Sequence, residues 1–148
     1  MGLFEKVFAK EPQAPVMLNN QECFLAIALA ISAADGHISQ SEVEGIVAYL
    51  RRMRMFESTN GNQMVSMFDK LVGIIRRQGV ESLVQLAREG LPTELRETAF
   101  ACAVDIAFAD GVVDDSEKKL IDELQKILEV PENIALTIVQ VMMIKNRG

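Results

Sequence analysis

The sequence has no tryptophan, one tyrosine, one histidine and two cysteines. Each scarcity excludes something. Cys23 and Cys102 lie in separate apolar runs, so they make neither a disulfide framework nor a zinc site, and they read as buried reduced thiols. The single histidine, His37, has no nucleophile patterned around it. There is no HExxH, no CxxC and no glycine-rich phosphate loop, so no catalytic constellation is in view and the chain reads as a non-enzyme. Aromatic residues are 5% of the whole, too few for the packing of a β-sandwich. Positive charge is also short, with 15 Lys and Arg against 21 Asp and Glu. A net charge of −6 argues against non-specific nucleic-acid binding and favours cations or basic partners. The longest apolar run, Phe24 to Ala34, cannot span a bilayer, and no signal peptide is apparent, so a cytoplasmic location is expected.

What the chain has in quantity is Ala, Leu, Ile, Val and Met at helical spacing. Its 148 residues suit one domain that folds without staples. The expected fold is all-α, a single-domain bundle of about seven helices with a two-fold internal repeat around two central helices. Residues 1–18 form an N-terminal amphipathic segment, with Leu3, Phe4, Val7 and Phe8 on one face, closed by Pro12 and Pro15. That segment reads as a lid on the bundle or as a membrane or partner contact. The helical domain is expected over 19–148, its halves at about 19–79 and 80–148. The spacing predicts helices over about 20–34, from Ser39 onward, 63–78, 80–89, 92–109 and 115–128. Pro131 opens the last helix, which carries Ile134, Leu136, Ile138, Val139, Val141, Met142 and Ile144.

Two nearly identical stretches organise these helices: Ala34-Asp35-Gly36-His37-Ile38-Ser39-Gln40-Ser41-Glu42 and Ala109-Asp110-Gly111-Val112-Val113-Asp114-Asp115-Ser116-Glu117. They are offset by 75 residues, Asp35 to Asp110 and Glu42 to Glu117 alike. Each reads as a helix ended by a left-handed glycine, a short turn, and a second helix opened by a Ser/Asp-x-x-Glu capping box.

Two chemical readings of these turns stand side by side. Aligned with the glycine of an EF-hand loop, Asp35, the His37 carbonyl, Ser39 and Glu42 fall at ligand positions, as do Asp110, the Val112 carbonyl, Asp114 and Glu117. The front ligand positions are held instead by Ile31 and Ala33, then Ile106 and Phe108, so neither loop alone makes a tight Ca²⁺ site. Candidate metal ligands are therefore Asp35, Glu42, Asp110, Asp114 and Glu117, with Asp105 a further candidate, for a weakly held divalent cation such as Ca²⁺. Three carboxylates against two favour the second turn. In the other reading the turns are structural caps. That account leaves open why Asp35 and Asp110 stand at helix C-termini, where the dipole disfavours negative charge. Asp105, amid apolar residues, needs a partner in either case.

The paired Ala-Asp-Gly turns with Glu42, Asp114, Asp115, Glu117 and Lys118, and the opening Gly2-Leu3-Phe4-Glu5-Lys6-Val7, resemble the TerB family of tellurite-resistance proteins and the related TerB-like domains. The likeness spans the chain. The second turn is the closer copy, because Ser39-Gln40-Ser41 replaces denser acids in the first. The resemblance implies an all-α bundle on two central helices and a metal-binding role for the clustered acids. It also implies stress-response partners bound to the membrane, and so a place at the membrane's inner face. An adaptor that binds or senses metal and a purely protein-binding helical module both fit it.

Overall fold

The structure, a computed structural model, describes residues 16–34, 36–109 and 111–148. The amphipathic stretch before Val16, and Asp35 and Asp110 in the two turns, lie outside the described residues. Seven α-helices and no strand occur among those described: α1 (Asn20–Ser32), α2 (Gln40–Arg51), α3 (Gly61–Gln78), α4 (Val80–Gly90), α5 (Thr93–Ala109), α6 (Asp115–Ile127) and α7 (Glu132–Lys145). A single 3-10 turn, Arg54–Phe56, separates α2 from α3.

α1 is the axis of the bundle. Asn19 and Glu22 close a full capping box at its start, with Glu22 N donating to Asn19 Oδ1 at 2.8 Å and Asn19 N donating to Glu22 Oε1 at 3.1 Å. Every residue from Glu22 to Ile31 is buried. A helix apolar on all sides has no solvent face to offer, so its neighbours surround it. Glu22 joins this core because Lys70 of α3 reaches its Oε2 at 2.7 Å. Gln21, on the first turn, donates to the Met55 carbonyl and to Thr59 Oγ1, fixing the 3-10 segment that buries Phe56.

The most extensive packing on α1 comes from α4, ahead of the expected partner α5. The reason is Gly90, the last residue of α4. A Cβ there would lie 2.4 Å from the Leu18 carbonyl oxygen and 2.6 Å from Cys23 Sγ. Only glycine lets the backbones come that close. α5 does pack on α1, and α7 packs against α5 in turn. Yet α5 is enclosed only in its second half, where no residue from Ala99 to Phe108 is exposed, while Thr93, Glu94, Glu97 and Thr98 in its first half face solvent. The bundle thus has one fully enclosed helix rather than two equal ones.

Several boundaries differ from the sequence expectation. α1 ends at Ser32, before the expected 34. α3 begins two residues early, because Asn60 and Gln63 form a capping box within what reads as a loose polar turn.

Candidate functional site

The glycines of the two turns are placed alike. Gly36 has φ +92° and donates to the Ala33 carbonyl at 2.9 Å; Gly111 has φ +83° and donates to the Phe108 carbonyl at 3.0 Å. Both glycines occupy the region closed to most side chains, and each turn runs into an extended N-cap, Ser39 or Asp114.

The caps then diverge. Asp114 and Glu117 make the complete reciprocal box, with Glu117 N to Asp114 Oδ1 at 2.8 Å and Asp114 N to Glu117 Oε1 at 3.3 Å. In the first turn Glu42 N donates to Ser39 Oγ, and Ser39 Oγ donates back to Glu42 Oε1, both at 3.1 Å. Of the metal-ligand candidates, Glu42, Asp114 and Glu117 are thus engaged at helix starts. Asp35 and Asp110 lie outside the described residues. Among the described residues no group of three or more His, Cys, Asp or Glu side chains is arranged to hold a metal ion.

The surroundings of the turns differ as well. Beside the first is a cleft of about 260 Å³ lined by Glu42, the hydroxyl residues Ser32, Ser41 and Tyr49, and the apolar Ile46 and Ile106. Among the described residues no cation lines it. The cleft beside the second turn, about 650 Å³, is bordered by Gly111, Phe108 and the C-terminal residues Lys145, Asn146 and Arg147. Two cations at its rim oppose a metal ion there.

Asp105 faces away from any metal role. It is 3% exposed, and three donors from two other helices converge on it. Tyr49 Oη of α2 donates to Oδ2 at 2.8 Å; Lys145 Nζ at 3.1 Å and Asn146 Nδ2 at 2.9 Å, both at the end of α7, donate to Oδ1. Burial alone pushes this carboxyl's pKa up, but the hydrogen bonds from Asn146, Tyr49 and Lys145, with the lysine's charge, outweigh it and hold the pKa below the ordinary value. Tyr49 is shifted the opposite way, upward, first by its own burial and then by its neighbours Cys102 and Asp105, so it stays a protonated donor.

Neither cysteine is an activated thiol. Burial, helped by the charge of Glu22, pushes Cys23 up to about 12. Burial also raises Cys102, against the opposing hydrogen bond with Tyr49. Both are protonated at neutral pH and poor nucleophiles.

The sequence shows that Asp105 needs a partner but not which one. Tyr49, Lys145 and Asn146 are 56, 40 and 41 residues away along the chain. The one available signal is that Tyr49 is the sole tyrosine, with a hydroxyl to satisfy on a half-buried helix face.

Residues 21–136 match the family model described as Tellurite resistance protein TerB. The chain belongs to the TerB family. The matched span takes in both Asp-Gly turns and the helices from α1 to α6, and stops at Leu136 inside α7. No curated protein and no solved structure matches the chain. As a TerB domain it is associated with tellurite resistance, and its all-α bundle is the fold the resemblance implies. No helix among the described residues is long and apolar enough to cross a membrane.

Proposed function

We propose that this TerB domain acts in tellurite resistance as a non-catalytic adaptor that docks a protein partner through the outer face of α7. The observation that carries this reading is a concentration of exposed apolar surface. Leu136, Val141, Met143 and Ile144 are 47 to 60% exposed, all on one 14-residue helix. A surface helix ordinarily turns a polar face to water, and clustered exposed apolar side chains mark an interaction surface. The capping roles of Ser39, Glu42, Asp114 and Glu117 support the same reading, since they account for those four residues of the repeated motif without a ligand. The test is complementation. Cells lacking this protein are challenged with tellurite while carrying the wild type or Leu136→Glu. Loss of tolerance with the variant folded supports docking through α7. Full tolerance removes it.

A second reading, cation binding that makes the adaptor metal-responsive, is favoured at one place by one observation. The cleft at the first turn pairs the Glu42 carboxylate with three hydroxyl residues and, among the described residues, no cation. This reverses the preference expected from counting carboxylates, because Lys145 and Arg147 border the second turn. Such a site is weak, in the range of about 10⁻⁴–10⁻³ M that poorly supplied calcium sites reach. A melting curve in millimolar Ca²⁺ and in chelator tests it. Coincident curves for the wild type remove the Ca²⁺ reading, and a rise abolished by Glu42→Gln supports it. A membrane-bound partner would place the protein at the inner face of the membrane.

A further inference from the structure

We infer that the cleft at the first turn receives the side chain of a lysine presented by a protein partner. The inference rests on the cation-taking character proposed for this cleft and names an organic cation in place of the metal ion.

Three helices meet there. Ser32 is the last residue of α1, Ala109 is the last residue of α5, and Ser41, Glu42 and Gly45 lie in the first half of α2. A helix ends in carbonyl groups that no further turn pairs, and its dipole gives that end a partial negative charge. Neither α1 nor α5 has a basic residue in its last turn to answer that charge. Lys145 also stands by the end of α5, but it borders the other cleft and is paired with Asp105. Glu42 adds a full negative charge. Its bond from Ser39 uses Oε1 and leaves Oε2 as an acceptor. The start of α2 opposes these with a smaller, partial positive charge. The balance favours a cation.

The rest of the lining decides which kind. Ile46, Ile106 and the ring of Tyr49 form an apolar wall. A metal ion surrounds itself with oxygens and has no use for that wall. A lysine uses both parts, its four-carbon stem on hydrocarbon and its ammonium on oxygen. Arginine suits the cleft less well. Its planar fork wants both oxygens of a carboxylate, and Ser39 already holds one of them.

Gly45 indicates that the lysine belongs to a chain. It lies exposed inside α2, where glycine weakens a helix relative to alanine. A Cβ there would meet nothing within 4 Å, so no neighbour among the described residues requires glycine. The bare backbone it leaves in the cleft lining lets a second backbone come close. The cleft, at about 260 Å³, is also smaller than the sites of about 300–1,000 Å³ that enclose free ligands, and it suits one inserted side chain.

The test is a titration of the full chain with Nα-acetyl-lysine methylamide, followed by proton–nitrogen NMR. The expected result is a saturable set of shifts centred on Gly45, Ile46 and Ile106, with a dissociation constant of about 1–10 mM for this isolated residue. Acetylating the probe's ammonium keeps the stem, removes the charge and weakens binding by about tenfold or more. Glu42→Gln does the same while keeping a side chain that can cap. Gly45→Leu projects into the cleft from an open position, so affinity falls by about tenfold or more while the melting temperature holds or rises. n-Butylamine, with stem and charge but no backbone, binds more weakly than the blocked lysine. No shift up to about 100 mM probe overturns the inference. So does binding indifferent to probe acetylation, to Glu42→Gln or to Gly45→Leu. Tighter binding of n-butylamine assigns the cleft to a free amine and overturns it as well. Melting curves in Ca²⁺ separate this inference from the metal reading. Lysine binding with coincident curves removes the metal and leaves the lysine. A Ca²⁺ rise abolished by Glu42→Gln, without lysine binding, does the reverse.

Discussion

Replacing Asp105 with asparagine tests the central polar cluster with little change of shape. Three donors, from Tyr49, Lys145 and Asn146, meet the two oxygens of Asp105. Asparagine offers one oxygen and turns an NH₂ group toward the others. Lys145 is 57% exposed and regains water, so its loss costs little. Tyr49 and Asn146 compete for the remaining acceptor, and one partly buried donor is left unpaired, which costs about 1–3 kcal/mol. Taking about 2 kcal/mol, the melting temperature of a domain this size falls by about 4–8 °C. Tyr49→Phe takes the hydroxyl from Asp105 Oδ2, a buried charged acceptor, and costs a comparable amount, about 1–3 kcal/mol. The two changes touch one network, so the double variant loses less than the sum.

The pH dependence separates charge from packing. The folded-state pKa of Asp105 lies below its unfolded value, which is about 3.9. A depressed carboxyl binds fewer protons folded than unfolded. Its contribution is complete above the unfolded value and is lost as pH falls through the folded one. Urea denaturation of wild type and Asp105→Asn should therefore show a constant gap between pH 7 and about pH 5, closing below about pH 4. A gap that persists undiminished at pH 3 would mean that geometry, and not charge, carries the effect. No gap at pH 7 would refute the argument outright.

Gly90→Ala should destabilise strongly, by about 3 kcal/mol or more, because the new Cβ falls 2.4 Å from the Leu18 carbonyl oxygen and neither backbone yields cheaply; thermal melting reads it. Gly36→Ala and Gly111→Ala meet open space at positive φ and should cost about 1 kcal/mol each from the backbone alone. Equal losses at Gly90 and Gly36 would contradict the distinction. Ala28→Leu, at a site 2% exposed in the middle of α1, should overpack the core by about 1–3 kcal/mol, and an unchanged melting temperature would remove α1 from the centre.

The parts of the fold legible in the sequence are those set by neighbours along the chain. The apolar circumference of α1 reads directly as a central helix. Asn19 with Glu22, Ser39 with Glu42, and Asp114 with Glu117 mark helix starts within three residues. Gly36, Gly79 and Gly111 all take positive φ at turns. Phe56 illustrates what was illegible. One aromatic in a charged stretch, with arginines just before it, carries no period, and it is buried because Gln21 of α1 holds the adjacent segment. Gly90 reads as a helix stop, and only the three-dimensional approach of Leu18 and Cys23 shows a second reason for it. α7 misleads in the other direction. Apolar nearly throughout, it has the composition of a buried helix, yet Ala135 is its one buried residue. Periodicity cannot separate burial in the fold from burial in an interface, because both need the same side chains.

The placement of Asp105 joins these observations. In an apolar helix a carboxylate costs free energy unless its donors are assembled around it, and here they come from α2 and from the end of α7. Lys145 is the last residue of α7 and Asn146 its C-cap. A purely apolar contact would allow that end to slide or rotate, since dispersion contacts have little directional preference. The two hydrogen bonds from Lys145 and Asn146 give that end a directional anchor and so help decide which side of α7 faces outward. Tyr49 belongs to both neighbourhoods: its ring lines the first-turn cleft while its hydroxyl donates to Asp105. The cleft and the exposed helix are thus connected through a single carboxylate. Its loss should be felt at α7 first, where Asp105 supplies the anchoring polar contact, and least in α1, which is enclosed by apolar packing on every side.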